Sequence, residues 1–503
     1  MSVSQSKSKE LEDYYDNRIN ACLAEARLLR QQRNADCSKT KHLPAEILSR
    51  IFGCLVYSGH SDDFPLQWIA ATHVCRTWRT IALNEPTLWA DFTDVHPKWV
   101  REMFSRSQAA PLILRLSLDS ANHLAFIFEH ALESPERLAE LRVSQQPFMA
   151  RLTRPAPFLR SLDIGDVDIP PDFLGGVAPR LRTLNCSGNM HLPPEASWLE
   201  NLTELNSLGV VNLQASYMSK LTSLCLGGDW SAWDAASGQP CRVSVDTLLS
   251  ALENMPLLQS LNLLLPNDVQ QASRSRLAPV YLQHLSDVTI IFDTLEAATI
   301  FHHLRTDKIK KLVAAGLCDD NIAMIEPACR FFETFYHDGG LQYLLYKRHA
   351  LEVHRIESYG VHTLVLMIEY WEYLAPSTLA GVVSMLPSCV PQILEMELDN
   401  ESPLHAFALP ECGTIEELRI STHYRTPLNV FQTSDASTAP YPSLRRLEFQ
   451  FIDFTCTPES ADLLKRWISA REPSATLELV LRDCDIWEQD FASLQEVAAV
   501  SHA

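Results

Sequence analysis

Leu159-Arg160-Ser161-Leu162-Asp163-Ile164 governs the reading of most of this chain, because its form returns three times at near-constant spacing. It recurs as Leu181-Arg182-Thr183-Leu184-Asn185-Cys186, Leu202-Thr203-Glu204-Leu205-Asn206-Ser207 and Leu221-Thr222-Ser223-Leu224-Cys225-Leu226, the middle leucines stepping by 22, 21 and 19 positions. The alternation around each middle leucine is the two-residue period of a strand with one buried face. Later copies are Leu258-Gln259-Ser260-Leu261-Asn262-Leu263, Ile415-Glu416-Glu417-Leu418-Arg419-Ile420 and Leu444-Arg445-Arg446-Leu447-Glu448-Phe449, with weaker ones at Val361–Leu366 and Ile393–Leu398. One such segment arises by chance in any leucine-rich strand; four at near-equal intervals imply a unit that repeats.

The pattern resembles the leucine-rich repeat, whose period is about 20–29 residues. The expectation is an α/β repeat fold: an N-terminal helical module, then an irregular leucine-rich-repeat-like solenoid over residues 121–490, with 491–503 a C-terminal tail. The alternative is a conventional α/β domain with parallel strands. Asp229–Pro240 and Gln432–Ala439 read as loop insertions. In such an array the leucines point inward and the residues flanking the middle leucine point outward. These are Ser161 and Asp163, Thr183 and Asn185, Glu204 and Asn206, Ser223 and Cys225, Ser260 and Asn262, Glu417 and Arg419, and Arg446 and Glu448. That face is small and polar early and charged late. As a target-binding surface it would offer Asp163, Asn185, Glu204, Asn206, Asn262, Glu417, Arg419, Arg446 and Glu448. The competing reading is a solvated face, with binding through loops or an edge.

Upstream, residues 1–9 are polar and expected to be disordered. Over 10–33, Leu11, Tyr15, Ile19, Cys22, Ala26 and Leu29 recur at steps of three and four, the stripe of an amphipathic helix. It offers a coiled-coil-like route to self-association, or packing on the next domain. After a polar linker, Leu43-Pro44-Ala45-Glu46 opens another helix: Pro suits the first helical turn, and Glu46 sits where the helix dipole favours negative charge. Leu43, Ile47, Leu48, Ile51, Phe52 and Leu55 form its wide apolar stripe. Tyr57–Pro65 breaks the pattern, a second helix is expected over Leu66–Leu83, and Asn84-Glu85-Pro86 ends it. A connecting helix and strand are expected within 93–120, at 97–108 and from Pro111 onward.

The stretch Leu43–Trp89 resembles the F-box. Its landmarks stand in order: Leu43-Pro44-x-Glu46-Ile47-Leu48-x-x-Ile51-Phe52, then Val74-Cys75-Arg76-x-Trp78-Arg79-x-Ile81-Ala82, then Leu88-Trp89. The form is especially similar to the large F-box family of fungi, where Pro86 before Leu-Trp and a following Arg106-Ser107 to Pro111-Leu112-Ile113-Leu114 segment have counterparts. The gap from Phe52 to Val74 is longer than in many F-boxes, the excess falling on Tyr57–Phe64. The resemblance implies an F-box at 40–92 that binds a Skp-type adaptor, and through it a cullin. Leu43, Pro44, Ile47, Leu48, Ile51, Phe52, Val74, Cys75, Trp78, Ile81, Leu88 and Trp89 would lie at or beneath that interface. It further implies a substrate-recognition subunit of an SCF-type ubiquitin ligase that recruits an unknown target protein and catalyses nothing itself. The alternative is a repeat scaffold that binds the adaptor without promoting ubiquitination. A module of about 45 residues is small to bury a comfortable core alone, so a partner that completes it makes physical sense.

Composition agrees with a soluble folded protein: 503 residues, 46% hydrophobic and 21% charged. The formal charge of −20 argues against nucleic-acid binding by phosphate neutralisation and against an anionic membrane surface. The odd count of 13 cysteines has no CxxC pair; Cys75, Cys186, Cys225 and Cys484 sit among apolar residues, as reduced thiols do in the cytosol or nucleus. No signal peptide is evident, and the most apolar stretch, Val361–Met385, is interrupted by Glu369 and Glu372. No phosphate-binding glycine loop, nucleophile elbow or HExxH is present, so no catalytic residue, metal ligand or cofactor is expected. His302 and His303 are adjacent and cannot share one helix face.

Overall fold

A computed structural model of the chain describes residues 2–502 except 38–39, 41–42, 59–65, 94, 116–130, 132–133, 144–145, 166, 168, 188–191, 194, 209–212, 228–230, 235–238, 243–244, 265–277, 293–297, 318–321, 338–340, 348–349, 357–361, 371–380, 383, 387–388, 399–413, 428–440, 457–459 and 470–476. It divides into two units, 1–131 and 132–503. None of the described helices is long and apolar enough to cross a membrane.

In the first unit, helix α1 runs over Ser2–Cys37. The expectation of disorder over 1–9 is therefore corrected, and the helix extends at both ends beyond 10–33. The segment holds no Gly or Pro, and once a helix is nucleated each further residue adds a bond at little cost. Helix α2 spans Ala45–Ser58, with the amides of Ile47 and Leu48 bonding to the Pro44 carbonyl. The expected single helix over 66–83 is instead a 3-10 turn at Gln67–His73 and helix α3 at Arg76–Leu83. Cys75 causes the break: its backbone is extended, and its Sγ caps α3 by accepting from the Trp78 amide at 3.4 Å. Asn84 ends α3, and a 3-10 turn at Pro86–Trp89 follows. Helix α4 (Pro97–Ser107) and strand β1 (Leu112–Leu114) complete the described part of this unit, β1 bonding to the Ala90–Phe92 backbone.

The second unit is mixed α/β with a large, mostly parallel sheet. Strands β2 (Leu138–Val143), β3 (Ser161–Ile164), β4 (Thr183–Cys186), β5 (Glu204–Ser207) and β6 (Ser223–Leu226) pair in parallel, each with the next in the chain. The segment read as a loop at 229–240 contributes a hairpin, β7 (Ser231–Asp234) with β8 (Gln239–Arg242), so that expectation is corrected in part. The series resumes with β9 (Ser260–Leu264), which pairs with β6. After the short β10 (Val280–Tyr281) come β11 (Asp287–Ile291), which pairs with β9, the short β12 (Leu304–Arg305), and β13 (Lys311–Leu317), which pairs with β11.

Here the chain order breaks. Strands β14 (Leu341–Lys347), β15 (Ala350–Ile356) and β16 (His362–Tyr370) form an antiparallel meander. Its last strand returns to β13, and its first is left for β17 (Cys389–Leu398). Then β18 (Glu417–Pro427), β19 (Arg446–Asp453), β20 (Glu478–Arg482) and β21 (Ala499–His502) follow in parallel. The expected tail at 491–503 thus carries the last strand. Helix Glu488–Gln495 buries Leu494, Ala498 is buried after it, and the Ala499 amide bonds to the Leu477 carbonyl. Gln432–Ala439 lies outside the described residues.

Register explains the core. Leu162, Leu184, Leu205, Leu224, Leu261, Val288 and Leu312 stand in one row across seven strands, all buried. Leu159, Leu181, Leu202, Leu221, Leu258, Leu285 and Ile309, three positions earlier, are buried too. Each such side chain contributes about 1.5–3 kcal/mol of burial free energy. Two of the weaker copies need a new frame. Leu394, not Met396, pairs with Leu418, and Leu366, not Leu364, pairs with Leu312. With a side-chain period of two, a shift of two residues preserves the buried face, so alternation alone cannot set the frame.

Candidate functional site

Helix α2 carries two apolar ridges. Leu48, Phe52 and Val56, four residues apart, are buried; the Phe52 ring lies 5.2 Å from that of Trp78. The neighbouring ridge, Ile47, Ile51 and Leu55, with Leu43 just ahead of the helix, has the same spacing but remains 37–40% exposed. Val74, at the break before α3, is 60% exposed. Side chains at i and i+4 lie one above another, so the outer ridge is continuous along the helix. Five large apolar side chains in the water of one small helical module are what an unfilled protein contact looks like.

The rest of the module is anchored. Trp89 is buried, donates from Nε1 to the Ala82 carbonyl at 2.8 Å, and meets Trp68 edge-on at 4.9 Å. The Arg106 guanidinium covers the Trp89 ring at 4.5 Å. The twelve residues singled out from sequence accordingly divide. Leu48, Phe52, Leu88 and Trp89 are buried core; Cys75, Trp78 and Ile81 are half-buried; Leu43, Pro44, Ile47, Ile51 and Val74 are exposed. Leu55, recognised in the stripe but left out of the docking set, belongs to the exposed ridge; its spacing of four from Ile51 was the available signal. The long loop at 59–65 lies outside the described residues.

The outward face of the second unit has two chemistries. Asp163, Asn185, Asn206 and Asn262 fall into one row with Cys225, and Glu204 stands in the adjacent row beside Thr183 and Ser223. Asn206 donates to Asn185 Oδ1 at 2.7 Å, Thr183 donates to Glu204 at 3.0 Å, and Arg142 pairs with Asp163 at 2.8 Å. The late strands instead knit their charges together. Arg419 lies 3.0 Å from Glu417 and 3.5 Å from Glu395, and Arg446 lies 3.3 Å from Glu417 and 3.0 Å from Glu448. Arg482 completes the line at 2.9 Å from Glu448, which is buried. Glu417, Arg419, Arg446 and Glu448, four of the target-binding candidates, therefore have partners within the sheet. The hydrogen bond from Arg446 to Glu448 holds that guanidinium charged, raising its pKa. On the same face Tyr343 donates to Glu395 at 2.6 Å; burial, then that bond, push the phenol's pKa up.

The described cysteines are free thiols; burial pushes Cys484 up to about 11, away from reactivity. No group of three or more His, Cys, Asp or Glu fit to hold a metal occurs among the described residues.

In comparisons with known proteins, no curated protein matches the chain. The F-box-like family model does match, over residues 40–94, the stretch from the linker before α2 to just past the buried Phe92. The exposed ridge of α2, the Cys75-capped α3 and the Trp89 anchor thus all lie within an F-box-like domain.

Proposed function

We propose that this chain is a substrate-recognition subunit of a Skp-cullin-F-box ubiquitin ligase of the fungal F-box type, acting in the cytosol or nucleus. The observation that supports this most is the exposed apolar ridge Leu43–Ile47–Ile51–Leu55 with Val74, inside the segment that matches the F-box-like family. In this reading the ridge and Pro44 seat the Skp-type adaptor, while Cys75, Trp78 and Ile81 support them from below. The second unit serves as a leucine-rich-repeat-like array, a reading supported by the three buried residues that recur in register from strand to strand. Its early polar face, around Asp163, Asn185, Glu204, Asn206 and Asn262, holds the target. The protein itself supplies proximity: a bound target experiences a high effective concentration of the ubiquitin-charged enzyme at the cullin.

The test is capture of purified Skp-type adaptor by the full chain. Ile47→Asp with Ile51→Asp puts two charges into the contact and should weaken binding at least 100-fold, since buried apolar anchors carry about 2 kcal/mol or more each. Wild-type protein that ignores the adaptor at micromolar concentration, or a double variant that still binds it, refutes the assignment. Ubiquitination of a captured target in a reconstituted ligase separates a recruiter from a scaffold.

A further inference from the structure

Helix α1 stands apart from everything else the first unit does. Every described side chain from Lys9 to Cys37 is exposed, including Leu11, Tyr15, Ile19 and Leu29. With Cys22 and Ala26 these form one stripe, three to four residues apart, which no described residue covers. A stripe of this kind on a long helix is the seam of a helix pair.

Charge identifies the occupant. The first half of the stripe is flanked by Glu10, Glu12, Asp13 and Asp16, and the last part by Arg27, Arg30 and Arg33. Reversing the sequence about a point between Ala21 and Cys22 sets Glu10 opposite Arg33, Asp13 opposite Arg30 and Asp16 opposite Arg27. The same reversal sets Arg18 opposite Glu25. The stripe reverses about a centre one residue earlier, between Asn20 and Ala21: Tyr15 then meets Ala26, large against small, and Ile19 meets Cys22. An acidic end, a basic end and a seam that complements its own reversal fit one partner, a second copy running the other way.

We propose that α1 pairs with α1 of a second copy as an antiparallel two-helix coil centred near Cys22, making the protein a dimer. The dimer does not depend on adaptor binding. Arg18 now leans on its own helix, donating to the Tyr14 hydroxyl at 3.2 Å, and in the dimer it is free to turn to Glu25 across the seam.

The test uses the full chain. Light scattering at micromolar concentration should give twice the monomer mass, and Ile19→Asp should return it to the monomer with an unchanged thermal melt of the folded units. Arg18→Glu should weaken the dimer about tenfold, and adding Glu25→Arg should restore it. Mild oxidation followed by peptide mapping should yield a Cys22–Cys22 crosslink between copies but no Cys37–Cys37 crosslink, because antiparallel packing holds those two roughly 45 Å apart at about 1.5 Å of rise per residue. A monomer overturns the proposal, as does a dimer indifferent to Ile19→Asp. A parallel coil, betrayed by Cys37–Cys37 crosslinks and by failure of the charge swap, overturns it too. Adaptor capture by the Ile19→Asp monomer stands or falls separately, so the two readings fail independently.

Discussion

The early and late strands of the sheet solve one problem in two ways. From β3 to β6 the strands are four residues long, their outward side chains are small and polar, and what holds them is the inward ladder of leucines. From β17 to β19 the strands are eight to eleven residues long, and their outward side chains interlock as alternating Glu and Arg. The difference shows where a face is left available. Charges that already have partners across neighbouring strands must lose them before gripping anything else, whereas the early strands' bonds, Asn206 to Asn185 and Thr183 to Glu204, are exposed and exchange for a ligand at little cost. The early face is therefore the better candidate for recognition, and the late face the better brace.

The comparison breaks first at the ladder. Leu205→Ala in β5 removes a fully buried side chain from the middle of three rows and should cost about 2–5 kcal/mol in denaturant unfolding; a loss near zero would mean that the early strands are not held by their leucines. A smaller effect is expected in the antiparallel meander that leads into the brace. Glu352, opposite Leu345 in the meander, accepts from Lys347 and pairs with His354, both at 2.9 Å. Burial pulls its pKa upward, but those two bonds outweigh it and hold the carboxyl below its usual range. A carboxylate lowered on folding adds stability above its unfolded pKa, about 4.3, and loses it as pH falls through the folded value. Glu352→Gln should cost about 1.5–3 kcal/mol at neutral pH and flatten the acid limb of the stability curve below about pH 4.3. An unchanged acid limb would exclude Glu352 as its source. The smallest effect is expected on the open face, where Asn206→Ala breaks only the exposed bond to Asn185 and should stay within about 0.5 kcal/mol. A larger loss would make that face a structural ladder and weaken its claim to recognition.

Much of this was legible in the sequence, and the failures have one cause. The rows through Leu162, Leu184, Leu205 and Leu224 could be read because every member is leucine. Strands β2, β11, β13 and β21 went unrecognised as members because Val143, Val288, Ala314 and Val500 stand at buried or paired positions where the pattern asks for leucine. The structure accepts any side chain that fills the space, while a motif sees only one. The docking ridge shows the same limit. Both ridges of α2 are apolar, so their spacing does not tell Leu48 and Phe52, which are buried, from Ile47 and Ile51, which are not. Which ridge meets water depends on where Trp78 packs, a fact of tertiary structure. Ion pairing was likewise invisible: Glu417 and Arg446 are 29 residues apart and meet only because β18 and β19 are in register.

The meander between β13 and β17 has a consequence for how the chain is made. Most strands find their sheet neighbour in the next segment to leave the ribosome, so the sheet can lengthen as translation proceeds. At β13 that stops, because Leu312 pairs with Leu366, and β14 and β15 emerge before β16 can close the gap. Until then the free side of β13 is an open strand edge, the kind of surface that invites misassembly. The nascent protein should be most dependent on chaperones in this interval, and a stall there would leave its first half folded and its exposed border waiting.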